Sequence, residues 1–92
     1  MSFQIGSTPR FKRRLRKFLR AHPELRQTFA SLVRDLERDP FQPRLRLHKL
    51  SGHLSEYHAV SLTHSYRVIL SLMVDEQRLI LIDIGTHDEV YR

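Results

Sequence analysis

The sequence predicts an α+β domain in which a helical hairpin packs on one face of a mainly antiparallel sheet, in the order β-α-α-β-β-β-β. Three observations predict it. Apolar residues recur at helical spacing from Phe11 to Leu36, and from Arg44 onward the pattern changes to that of strands. The connections between the later stretches, SGHLS, THS and DEQ, are short enough to demand antiparallel neighbours. At 92 residues the chain closes a single core, so one domain is expected across 1–92, with surface grooves in place of a deep pocket.

Each element has its own signal. Phe3 and Ile5 alternate with polar neighbours, giving a short first strand that ends at Gly6. Thr8 then caps a helix whose first position is Pro9, where a missing N–H costs nothing. Phe11, Leu15, Phe18 and Leu19 form its apolar stripe, and AHP breaks it. Pro23 opens a second helix with the stripe Leu25, Phe29, Leu32, Val33 and Leu36, which ends before Pro40 and Pro43. Four strands follow: LRLHKL, EYHAVSL, YRVILSLMV and RLILIDI. YRVILSLMV is apolar on both sides and fits a central strand. LRLHKL carries Arg46, His48 and Lys49 and fits an edge. With both helices on one face, the other face of the sheet is expected to be free.

Composition narrows the function. The hydrophobic fraction of 40% and charged fraction of 28% are those of an ordinary globular domain, and no tract reads as a linker. No apolar run approaches the ~18–20 residues of a membrane span, and MSFQIGST lacks the order of a signal peptide, so the expected address is the cytoplasm with no membrane partner. The absence of cysteine excludes disulfides, thiolate metal sites and thiol catalysis. Net charge is +6, and arginine dominates lysine. Arg10, Lys12, Arg13, Arg14, Arg16, Lys17 and Arg20 follow one another without an acid among them. Such a run is often a solvated helix face, but like charges at this density favour a polyanion or an acidic protein partner.

The histidines carry the chemistry. There are 6, and His48, His53, His58, His64 and His87 lie in the C-terminal half. His22 and His53, in turns, read as surface histidines. A metal site fails on spacing: there is no HxH on a strand, no HxxxH on a helix, and the carboxylates are scattered. General acid/base cleavage of RNA through its own 2′-hydroxyl needs a base, an acid and a cation for the phosphorane charge. His48, His64, Arg67, His87 and Tyr91 are candidates for these roles, with the tyrosine ring available to stack on a base.

LHKLSGHLSEYHAV, HSYRVIL and IDIGTHDEVY, in that order behind a basic helical hairpin, resemble the RelE/ParE toxin superfamily, and most of all its YafQ-type branch. The resemblance spans nearly the whole chain and is most specific in the C-terminal half. It implies a RelE-like fold and the toxin of a type II toxin–antitoxin pair: a ribosome-dependent mRNA endonuclease without metal or cofactor, held silent by a cognate antitoxin whose acidic segment wraps it. It maps His48 to the His-x-Leu histidine, His87 to the Gly-Thr-His histidine, Tyr91 to the closing aromatic and Tyr66 to the aromatic that leads the central strand. His87 is then expected as general acid, His48 with His64 as base or its partner, and Arg67 as the phosphate clamp, although which histidine is acid and which base stays open. Arg13, Arg16, Lys17, Arg46, Lys49 and Tyr66 are expected to hold RNA or ribosome. Ser61 and Ser65 stand where YafQ-type relatives carry a histidine and an aspartate, so those roles are absent or moved. The alternatives are a ParE-like poison of DNA gyrase with no catalytic residue, and a binding module that only caps an acidic partner.

Overall fold

The computed structural model describes residues 2–91 and has the α+β architecture. Its strands are β1 (Gln4–Ser7), β2 (His48–Lys49), β3 (His58–Ser61), β4 (Tyr66–Met73) and β5 (Arg78–Thr86). They form one sheet in the order β1-β5-β4-β3-β2. β1 runs parallel to β5 and the remaining pairs are antiparallel. β4 is the central strand and β2 an edge, as the apolar and charged patterns require.

The helices are α1 (Pro9–Ala21) and α2 (Arg26–Arg38). Thr8 Oγ1 accepts the Phe11 N–H at 3.0 Å, which satisfies one of the amides a helix start leaves open. Pro23 does not open α2 directly. A 3₁₀ turn, Pro23–Leu25, comes first, because the Leu25 N–H closes onto the His22 carbonyl at 3.0 Å and tightens the connection. Asp39, extended at φ −170°, ends α2 ahead of Pro40, as the residue before a proline tends to do.

Phe11, Leu32 and Leu36 from the hairpin pack with Val60, Val68, Leu70, Leu79, Leu81 and Ile84 from the sheet to form the main core. The opposite face is not free. The chain closes with a helix the expected order lacks, α3 (His87–Val90), and Ala59, Ile69 and Val90 form a second cluster with Leu50, Tyr57, Ile82 and Tyr91 against it. The sequence signal for this turn is Thr86-x-x-Glu89, a capping box ahead of a single apolar anchor.

The expected strand LRLHKL contracts to two residues. Pro43 has no amide hydrogen and begins a 3₁₀ turn, Pro43–Leu45, and Arg46 follows in the left-handed region at φ 55°. Pairing with β3 therefore starts only at His48, opposite Ala59. At the other end β5 runs on to Thr86.

The β4–β5 register shifts between Ile69 and Leu70, so that Ile69 pairs with Asp83 while Leu70 pairs with Leu81, and β5 holds one extra residue. At this irregularity Asp83, only 9% exposed, forms an ion pair with Arg14 of α1 and lies 3.7 Å from Arg10. Its Oδ1 also accepts the Ile84 N–H at 2.9 Å, and Arg14 Nη2 donates to the Ile84 carbonyl at 3.3 Å. Replacing Asp83 with Asn keeps the volume but removes the charge that Arg14 meets. Asp83→Asn is expected to lower the unfolding free energy by about 2 kcal/mol in urea denaturation. An unchanged midpoint would show the pair to be neutral.

His58 on β3 is held below the ordinary histidine value of 6.5, first by burial and then by the charges of Lys49 and His48. Its Nδ1 is buried without a hydrogen-bond partner among the described residues. Above the ordinary value the ring is neutral in folded and unfolded chains alike. Below it the unfolded chain takes up the proton first, so stability falls as pH drops through the interval beneath 6.5. Melting curves at pH 7.5 and 5.5 should show this loss, and His58→Gln should reduce it.

Candidate functional site

Three separate stretches of chain meet on the sheet face away from α1 and α2. β2 contributes His48 and Lys49, β4 contributes Arg67, and α3 with its cap contributes His87 and Tyr91. Together with Leu50, Leu54 and His53 they line an open cleft of about 440 Å³. His53, expected as a surface turn residue, is brought into the cleft by the 3₁₀ turn Gly52–Leu54. The signal in the sequence is its position directly behind Gly52, five residues after His48.

Each side chain is oriented by a local feature. His48 Nδ1 lies 2.9 Å from the Arg46 carbonyl, and since a carbonyl only accepts, Nδ1 carries the hydrogen. In the neutral ring Nε2 is then the lone pair, the form a general base needs. Arg67 Nη1 donates to the carbonyls of Thr63 (3.0 Å), His64 (3.1 Å) and Tyr66 (3.3 Å). One nitrogen thus fixes the guanidinium against the β3–β4 turn, and the rest of the fork makes no protein hydrogen bond among the described residues.

The tail is fixed by its cap. Glu89 donates its N–H to Thr86 Oγ1 at 3.2 Å, and Glu89 Oε1 accepts the Thr86 N–H at 2.8 Å. A Cβ at Gly85 would meet Glu89 Oε1 at 2.9 Å and Glu89 Cβ at 3.2 Å, so glycine is what allows the helix to fold back this closely. Val90 anchors the turn in the second cluster, and the Tyr91 N–H closes onto the His87 carbonyl at 3.1 Å. The His87 and Tyr91 rings meet edge to face, centroids 4.2 Å apart, with His87 outermost at 70% side-chain exposure and its Nδ1 3.6 Å from Asp88. Burial raises the Tyr91 phenol above 10.0, and the positive charge of Arg67 partly opposes that rise.

Other candidates lie elsewhere. His64 and Arg46 line a second groove beside the cleft, whereas His48 lines the cleft itself. Ser61 lines that groove too, while Ser65 is exposed in the hairpin turn, its N–H donating to Thr63 Oγ1 at 3.2 Å. Tyr66 is on the opposite face of the sheet. Its ring packs edge to face on Phe18 at 5.0 Å and against His22 at 4.9 Å, and its hydroxyl lies 3.3 Å from His22 Nε2. Tyr66 is therefore separated from the cleft, because strand alternation sends adjacent Arg67 and Tyr66 to opposite faces. Arg13, Arg16 and Lys17 are exposed on α1, also away from the cleft. Among the described residues no group of three or more His, Cys, Asp or Glu side chains is gathered to hold a metal ion, and no helix is long and apolar enough to cross a membrane.

This is the fold of the RelE-superfamily toxins. The chain superposes on YafQ of Escherichia coli with a TM-score of 0.80 at 15% identity, over 98% of this chain and 99% of that one. A chain of the E. coli DinJ–YafQ toxin–antitoxin complex gives 0.78 at 16% identity over 100% of both chains. A YoeB/ParE toxin from Agrobacterium tumefaciens gives 0.75 at 20% identity, over 92% of this chain and 99% of that one. No family model matches the sequence, and no curated relative matches it. The likeness is one of backbone architecture, which many unrelated functions can share.

The Tyr91 phenol offers a direct check of the cleft. Its ultraviolet titration should fall above 10.0. Removing the Arg67 charge takes away the influence that favours phenolate, so Arg67→Gln should move the titration higher still. A downward shift or none would place the two side chains apart.

Proposed function

We propose that this chain is the toxin of a type II toxin–antitoxin pair and that it cleaves ribosome-bound mRNA in the cytoplasm by acid/base catalysis without metal or cofactor. The observation that carries this reading is the convergence of His48, Arg67, His87 and Tyr91 on one open cleft from three distant stretches of chain. Each of the elementary tasks of transesterification has a group there. His48 Nε2 takes the 2′-hydroxyl proton as that oxygen attacks the adjacent phosphorus. The Arg67 fork meets the non-bridging oxygens of the phosphorane, where charge accumulates. His87, outermost on the tail, gives its proton to the departing 5′-oxygen, and the half-buried Tyr91 ring receives a base by stacking. A cyclic 2′,3′-phosphate and a 5′-hydroxyl result.

The openness of the cleft fits a large substrate. A single strand threaded through a ribosome needs a shallow, accessible surface, and an enclosed pocket would exclude it. The exposed cations of α1, on the far side of the sheet, suit the ribosomal RNA that would surround the toxin, or the acidic segment of an antitoxin that folds on binding.

Primer extension on a translated mRNA after induction tests the reading, with wild type beside His87→Ala. Cuts within translated codons are expected from the wild type, and His87→Ala should lower them about 100-fold or more while the protein stays folded. Growth arrest without cuts, undiminished in His87→Ala, would shift the assignment to a gyrase poison.

A further inference from the structure

The second groove, of about 280 Å³, adjoins the cleft, and Arg67 lines both. Its walls carry Arg44, Arg46, Arg67 and His64 together with the hydroxyls of Ser61 and Thr63, and no carboxylate. Such a set donates hydrogen bonds and positive charge, and Arg44 alone of its arginines meets a carboxylate among the described residues. Arg44 is partly committed, since its Nη2 meets Asp35 at 2.9 Å and Gln42 at 3.0 Å. Arg46 is exposed, and its side chain makes no ion pair or hydrogen bond among the described residues. Thr63 Oγ1 accepts the Ser65 N–H at 3.2 Å, which leaves its own hydrogen to donate.

The backbone of Arg46 couples this groove to the cleft. The residue is left-handed at φ 55° and ψ 41°, a conformation that is strained for a side-chain-bearing L residue. Its N–H closes onto the Pro43 carbonyl at 3.1 Å, and its own carbonyl meets His48 Nδ1 at 2.9 Å. The carbonyl thus orients the cleft histidine while the side chain lines the neighbouring groove. Arg67 makes the second link, through its guanidinium.

A strand of RNA carries a phosphate at every nucleotide. With one phosphate at Arg67 in the cleft, the strand has a ready course past Arg67 into a groove where Arg46 meets no carboxylate among the described residues. We propose that the second groove is a phosphate subsite for the same RNA strand, in which Arg46, flanked by Arg44 and His64, holds the phosphate adjoining the scissile one. The inference rests on the RNA-cleaving reading of the cleft and assigns the direction in which the strand leaves it. The subsite adds affinity and register, and carries out no chemistry.

The test uses purified protein and a short single-stranded RNA whose cleavage-site nucleotide is 2′-deoxy, so that the nucleophile is missing. Single uncharged methylphosphonate linkages are placed at successive positions, and affinity is read by fluorescence anisotropy across a salt series. Neutralising the linkage that adjoins the blocked one should cost wild type about tenfold. Arg46→Asn keeps a residue that tolerates the left-handed conformation and so spares the His48 contact. It should bind the unmodified strand several-fold more weakly, with a slope of log Kobs against log[salt] shallower by about 0.7, and be indifferent to that same neutral linkage. Arg46→Gly, also compatible with positive φ, should behave alike. Either variant responding to every linkage as wild type does, or a wild type with no affinity for the strand, overturns the subsite. Unchanged affinity for the strand with weakened binding to ribosomes gives the groove to a ribosomal RNA phosphate and overturns the same-strand assignment. The parent reading fails on a separate readout, continued cutting of translated mRNA by His87→Ala.

Discussion

The ion pair between Arg14 and Asp83 is the contact on which the remaining geometry hangs. α1 is densely basic, and its outward cations repel one another. Arg14 turns inward, meets a nearly buried carboxylate at the register shift of β5, and donates to the Ile84 carbonyl beside it. This fastens the helix to the strand where that strand departs from regular pairing. Gly85 and Thr86 follow immediately, so the direction in which the chain leaves the sheet is set by the same few residues.

From that point the tail is assembled by short-range contacts of ordinary strength. A reciprocal cap between Thr86 and Glu89 starts α3, a glycine makes room for the Glu89 side chain, and Val90 supplies an apolar anchor on the face away from the hairpin. None of these residues is a candidate for chemistry. Together they hold His87 and Tyr91 across from His48 and Arg67. The opposite wall is built in the same way, through a left-handed Arg46 whose carbonyl orients His48 and a hairpin turn whose carbonyls bind Arg67. A cleft made of caps and turns is shallow and open.

The two faces of the sheet divide the molecule. The helix side holds the larger core, and its outer surface is the cationic helix. The other side holds the smaller cluster and the cleft. Adjacent Tyr66 and Arg67 are separated by this division: the tyrosine closes an aromatic group with Phe18 and His22, and the arginine enters the cleft. The basic helix and the cleft therefore lie on opposite sides of the sheet.

Local patterns in the sequence determined much of this. The helices were legible because Phe11, Leu15 and Phe18, then Leu32 and Leu36, repeat with the helical period, and because Thr8-Pro9 and Pro40 punctuate them. The central and edge strands were legible because burial on both faces demands apolar residues at every position and an edge tolerates charge. His48, Arg67, His87 and Tyr91 were recognisable as groups suited to one reaction. Only the tertiary structure decided that they share a cleft while His64, a few residues from Arg67, lines the neighbouring groove. It also decided that His53 enters the cleft, that Tyr66 leaves it, and that α3 covers part of a face expected to be bare. The physical reason is common to these cases. Side-chain type and spacing report on contacts within one element, whereas meeting across elements depends on register shifts, left-handed turns and the exit direction of a strand, which packing of distant residues selects.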